Sequence, residues 1–113
     1  MASTSVRVVL MTFPAKVSEA QNSEKISSVQ AFAHALVSQR FVACVNLIDA
    51  LTSIYRWQDA VCQDSEVMLV AKTTEDKLPE LRAWVMAHHP YECPAFVVLS
   101  VTCDSAAPYL DWV

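Results

Sequence analysis

The strand-like segments of this chain are apolar on both faces, and that limits what the chain can fold into. Residues 6–13, Val-Arg-Val-Val-Leu-Met-Thr-Phe, alternate Val6, Val8, Leu10 with Arg7, Val9, Met11, Phe13 and stop at Pro14. From about Val61 to Thr73, Val67, Leu69 and Ala71 alternate with Met68, Val70 and Lys72, and the segment Phe96 to Thr102 sets Val97, Leu99 and Val101 in one row. A sheet with one wet face alternates apolar with polar side chains. Here both rows need cover.

The remaining segments supply only part of that cover. Lys16 to Ser28 is polar and serine-rich, with Ser18, Ser23, Ser27 and Ser28 available as N-caps, which predicts a loop passing into a helix. Ile26, Val29, Ala33, Leu36 and Val37 then recur at helical spacing through Gln39 and Arg40. Val42 to Ile48 reads as a second strand, extended character resumes from Thr52 to Trp57, and Gln58-Asp59-Ala60 is the hairpin tip. Thr74 or Asp76 can cap a second helix that tolerates Pro79 in its first turn, lines Leu78, Leu81, Val85 and His88 along one side, and cannot pass Pro90. Ala107 to Val113 forms a short tail. The order β-α-β-β-α-β predicts an α+β, ferredoxin-like sandwich with an extra C-terminal segment, residues 1–113 making a single domain with two helices on one face of an antiparallel sheet. Val9, Met11, Phe13, Met68, Val70 and the Val97, Leu99, Val101 row cannot all lie beneath two helices. Further copies of the chain packed on the open face would cover the excess.

Composition excludes several functions. AVILMFWYC residues make up 54% of the 113 positions, more than a lone small domain usually hides. The net charge is −4 and the eight Lys and Arg are scattered singly, so neither nucleic acid nor an acidic membrane surface is an expected partner. No apolar run approaches the roughly 20 residues of a membrane span. Met-Ala-Ser-Thr-Ser lacks the features of a signal peptide, so the expected location is the cytoplasm. Cys44, Cys62, Cys93 and Cys103 form no C-x-x-C pair and read as reduced, buried, small hydrophobes. There is no glycine at all, where average usage would give roughly eight. Walker loops, G-x-G-x-x-G turns and G-x-S-x-G elbows are thereby excluded. Turns that need positive φ fall to Asn or Asp, for example Asn22, Asn46, Asp49, Asp59 or Asp104. No nucleophile has an attendant base, His34 stands alone in a helix, and Asp64 and Glu66 read as solvated residues at a strand start. No catalysis is expected.

Five stretches, Ala43-Cys-Val-Asn46, Thr52-Ser-Ile-Tyr-Arg-Trp-Gln58, Ser65-Glu-Val-Met-Leu-Val-Ala-Lys-Thr73, His88-His-Pro-Tyr-Glu-Cys-Pro94 and Tyr109-Leu-Asp-Trp112, together resemble the CutA divalent-cation-tolerance proteins. They occur in the family's order across nearly the whole chain. The resemblance implies a ferredoxin-like protomer, a homotrimer similar to the PII signalling proteins, and tolerance to copper and other divalent metals without established catalysis. Two of the family's glycine turns are replaced, by Asp49-Ala50 and by Trp57-Gln58-Asp59, which predicts strained turns on an unchanged fold. Ala95 stands where a glutamate is common, and the loop after Pro14 is longer than usual.

Two sets of candidate site residues follow. His88 and His89 are candidate ligands for copper or another divalent metal ion, none of which is obligatory for the fold. Met11 joins them because some members of the resembled family place there a cysteine linked to copper with the same histidines. Neighbouring helical residues point about 100° apart, so both imidazoles reach one ion only if the helix has ended by His89. The alternatives are two helix C-terminal residues and a core methionine. The second set, Tyr55, Trp57, Lys72, Tyr91 and Glu92, would line a cleft between subunits in which Lys and Glu orient a small anion or zwitterion. The same aromatics also suit interface anchors. The expected function is divalent-cation tolerance by weak metal binding. The second reading is a PII-like sensor or adaptor that binds a small ligand and signals to an unidentified protein partner.

Overall fold

A computed structural model describes residues 3–15 and 25–113. Among them the elements run β1 (Ser3–Pro14), α1 (Val29–Ser38), β2 (Cys44–Trp57), β3 (Ala60–Thr74), α2 (Leu78–His88), β4 (Val97–Thr102) and α3 (Ala107–Trp112). The four strands form one antiparallel sheet in the order β2-β3-β1-β4, so the chain is α+β as its element order predicts. None of these helices is long and apolar enough to cross a membrane. The cap candidates Ser18 and Ser23, and Asn22, lie outside the described residues.

The register decides which apolar row goes where. Val9, Met11 and Phe13 pair with Ala71, Leu69 and Val67, and all six are buried in one cluster with Val29, Phe32 and Leu36 of α1 and Leu81 and Val85 of α2. This row therefore lies beneath the helices, and the excess comes from its neighbours. Leu10 sits between Val70 and Val97, and Val8 between Lys72 and Leu99, on the face opposite α1 and α2. Ile48 beside Met68 extends that face, and Ile48, Val97 and Leu99 are exposed.

Local sequence explains the element ends. Ser28 caps α1 by accepting from the Ala31 N–H at 3.3 Å. Ile26 therefore precedes the helix instead of lying on its stripe, and its N–H donates to the His88 carbonyl at 2.9 Å, tying the start of α1 to the end of α2. After α1, the Arg40 N–H reaches the Val37 carbonyl at 3.0 Å and the Phe41 N–H reaches that of Leu36 at 3.1 Å. This is the Schellman pattern, which calls for a left-handed residue and usually takes glycine. Thr74 precedes a single 3-10 turn, Glu75–Lys77, that leads into α2, and Pro79 occupies the first turn of that helix. The tail is helical as α3, and the Tyr109 hydroxyl meets Cys44 Sγ at 3.5 Å.

Without glycine, the left-handed positions among the described residues fall to Arg40 (φ 63°), Ala50 (φ 61°), Gln58 (φ 50°) and Asp59 (φ 65°). Among the described residues, only Asp59 matches the expectation of Asn or Asp. Gln58-Asp59 makes the two-residue hairpin turn, where positive φ at both positions matches the strand twist. Asp49 and Ala50 interrupt the pairing between Ile48 and Leu51, a bulge that keeps β2 one continuous strand. Tertiary register thus overrides local preference. Left-handed backbone costs a residue with a Cβ about 1–2 kcal/mol, and glycine's extra chain entropy offsets part of that. Ala50→Gly and Arg40→Gly are each expected to stabilise the protein by about 0.5–1 kcal/mol, read as a rise in the denaturant midpoint at unchanged slope.

Candidate binding cleft

Beyond Pro14, which pairs with Glu66, β1 ends while β2 and β3 continue together to their turn, so residues 51–66 project as a two-stranded arm. Alternation puts Ser53, Tyr55 and Trp57 on one face of the arm, the face shared with Asp64 and Glu66. The segment after α2 folds back to meet that face. The result is a cavity of about 450 Å³ lined by Thr12, Ser53, Tyr55, Trp57, Glu66, Tyr91, Glu92, Cys93 and Ala95. Four of the five expected cleft residues, Tyr55, Trp57, Tyr91 and Glu92, are brought together.

Lys72 is not among them. It lies six residues along β3 from Glu66, roughly 20 Å at strand rise, and donates to Asn46 Oδ1 on the open face. Within one chain, therefore, no Lys72 stands beside Glu92 in the cleft. In its place stands Glu66, which is 6% exposed and not solvated as its position at a strand start predicts. The Tyr91 hydroxyl donates to its Oε2 at 2.8 Å. Asp64 is exposed as expected, but it accepts from the Tyr55 hydroxyl, a diagonal cross-strand pair. That bond, with smaller additions from burial and from nearby charge, pushes the Tyr55 phenol up to about 12. Burial first, and then the bond to Glu66, raises the Tyr91 phenol as well. Both phenols thus stay protonated and act as donors to carboxylates.

The two histidines and Met11 are not assembled as a ligand set. His88 ends α2 with its ring stacked 4.4 Å from that of Trp84 and its Nδ1 2.8 Å from the Trp84 carbonyl. His89 is extended (ψ 140°), as the residue before a proline should be, and this turns its ring into the core and away from His88. Its Nε2 lies 2.7 Å from the Thr12 carbonyl, and its Nδ1 accepts from the Tyr91 N–H at 3.0 Å. Both nitrogens are engaged, so the ring is the neutral Nε2–H tautomer. The Met11 thioether is buried in the core at 1% exposure. Donor geometry here does not fit a copper ion held by these three residues. Among the described residues no three His, Cys, Asp or Glu side chains are grouped to hold a metal ion. All four cysteines are free, and Cys93 and Cys103 are exposed where burial was expected.

Burial lowers the His89 pKa, Lys25 adds to this, and the Thr12 hydrogen bond and Glu66 oppose it. The unfolded chain takes up this proton near 6.5, whereas the folded chain resists it. Stability is therefore full above about pH 6.5 and falls as pH drops below it toward the folded-state value. Urea midpoints at decreasing pH are expected to show this loss in the wild type and a flatter response in His89→Gln.

The family model described as "CutA1 divalent ion tolerance protein" matches residues 8–113. The chain is 42% identical over 106 residues to "Divalent-cation tolerance protein CutA" of Thermus thermophilus, covering 94% of this chain and 92% of that protein. It is 41% identical over 91 residues to "Protein CutA" of Mus musculus, covering 80% of this chain but spanning only 50% of that protein's length. Among solved structures, "PII-like protein CutA from Nostoc sp. PCC 7120 in apo form" superposes with a TM-score of 0.78 at 33% identity, covering 95% of this chain and 92% of that one.

Proposed function

Because the chain belongs to the CutA1 divalent ion tolerance family, we propose that it serves cation tolerance as a non-catalytic homotrimer that binds a small ligand in the cleft at the base of its arm. In this reading it is a PII-like sensor or adaptor, not a store of metal. The observation that carries the reading is the Glu66–Tyr91 pair. A carboxylate is buried at the wall of a cavity in the size range of ligand sites, between segments far apart in sequence. The open sheet face supports assembly, since Val8, Leu10, Met68, Val70, Val97 and Leu99 make one apolar surface at the register given above. Other copies packed there would leave the cleft near the subunit boundaries.

A thermal-shift screen of metabolites tests ligand binding: stabilisation that Tyr91→Phe weakens supports the cleft, and a screen without any stabiliser contradicts it. The competing reading is weak metal binding at His88 and His89. His88→Ala separates the two because it spares the buried ring of His89. Calorimetric titration of copper is expected to be the same for wild type and His88→Ala. A saturable heat in the wild type that His88→Ala removes would restore the metal reading.

A further inference from the structure

We infer that the cleft selects a small organic ammonium ion with an apolar body; this rests on the cleft being the ligand site and names the class of ligand. The walls offer the aromatic rings of Tyr55, Trp57 and Tyr91 and the carboxylates of Glu66 and Glu92. The two tyrosine hydroxyls are already given to Asp64 and Glu66, so the rings present their faces and edges more than their donors. A ring face is the negative end of an aromatic quadrupole and attracts an ammonium group, most strongly where water is scarce. Glu66 supplies the matching charge. A carboxylate can accept about four hydrogen bonds, and among the described residues Tyr91 is the one side-chain donor to it. The remaining capacity faces the cavity that Glu66 lines. An ammonium N–H directed there would make a charge-assisted bond while its carbon body rests on Trp57.

A bare divalent ion suits the same cavity poorly. It requires several oxygens converging at about 2–2.6 Å, whereas this space holds about 450 Å³ between aromatic walls. An anion would face two carboxylates. Within the chain, Lys72 lies at the far end of β3 and adds no cation to the cavity wall.

The test uses the full chain and three probes of matched size, benzylammonium, benzyl alcohol and benzoate, followed by the indole N–H resonance of Trp57, assigned with Trp57→Phe. Benzylammonium is expected to shift that resonance and to bind about tenfold more tightly than benzyl alcohol, the scale of one charge-assisted hydrogen bond, with benzoate weakest. Glu66→Gln is expected to erase the preference for the ammonium and leave benzyl alcohol unchanged. Should Glu66→Gln not fold, Glu92→Gln at an exposed position is expected to reduce the preference about twofold to threefold. Equal or stronger binding of benzyl alcohol or benzoate at Trp57 overturns the ligand class while leaving the cleft reading in place. No shift at Trp57 with any of the three overturns both.

Discussion

Leu10→Asp is expected to abolish assembly, so that light scattering at micromolar concentration finds monomer or unfolded chain where the wild type is expected to give a trimer. Leu10 is the middle of a cross-strand row, Val70–Leu10–Val97, on the face opposite α1 and α2. A carboxylate there would be buried without a partner if other copies cover that face, at an effective penalty of several kcal/mol per subunit. In a lone chain, where Leu10 is half-buried at the edge of water, the same change costs on the order of 1 kcal/mol. The difference between those values makes the variant decisive. A wild type that is a folded monomer, or a Leu10→Asp protein that stays trimeric, would sink the proposed assembly. Because folding and association are linked, the wild type's melting temperature is also expected to rise with protein concentration.

Alternation revealed that two apolar rows exist, but not which of them the helices take. A period of two assigns residues to rows, and row to layer is decided by what packs. Phe13 and Met11 fill the space beside Phe32 and Leu36, which sends Val8 and Leu10 outward. Phe32 was absent from the expected helical stripe, yet it is fully buried and forms contacts with Phe13, Trp84 and His89, while Val37 on that stripe is 41% exposed. The helix is rotated toward Phe32 because its largest side chain seeks the deepest cover. The break expected after Ile48 is a bulge inside one strand. Pairing with β3 on both sides holds Ala50 left-handed, where its own preference would end the strand.

The aromatic part of the cleft was legible because Tyr55, Trp57 and Tyr91 stand in the segments that carry the family likeness. Lys72 stands in those segments too. Position along β3 separates it from the cleft, and likeness alone carries no distance. Glu66 carries a signal in its row: it directly precedes Met68 and Val70 there, so its carboxylate adjoins apolar neighbours. A carboxylate in such a row has either a partner or a task. Tyr91 is the partner, and it comes from a loop no local pattern could have set there.

His89→Ala is expected to destabilise the protein by about 3–5 kcal/mol, the range for emptying a buried aromatic site. The ring lies 5.1 Å from Phe13, 5.6 Å from Phe32 and 5.1 Å from Tyr91, so its removal opens a cavity at the meeting of three aromatic rings. It also frees the Thr12 carbonyl and the Tyr91 N–H, whose bonds to the imidazole fasten the segment after α2 to β1. Tyr91 is thereby held where its hydroxyl reaches Glu66. The loss should appear as a lower urea midpoint at matched protein concentration, and the cleft should loosen with it: in His89→Ala the indole resonance of Trp57 is expected to broaden or move without any ligand. His88→Ala, which removes a ring stacked on a half-buried Trp84, is expected to cost about 1 kcal/mol or less and to leave that resonance in place. Near-equal effects of the two substitutions would mean that His89 is not the pin the geometry describes. Any comparison that mutates both histidines together confounds a metal ligand with a structural one, because loss of binding would follow from loss of the fold.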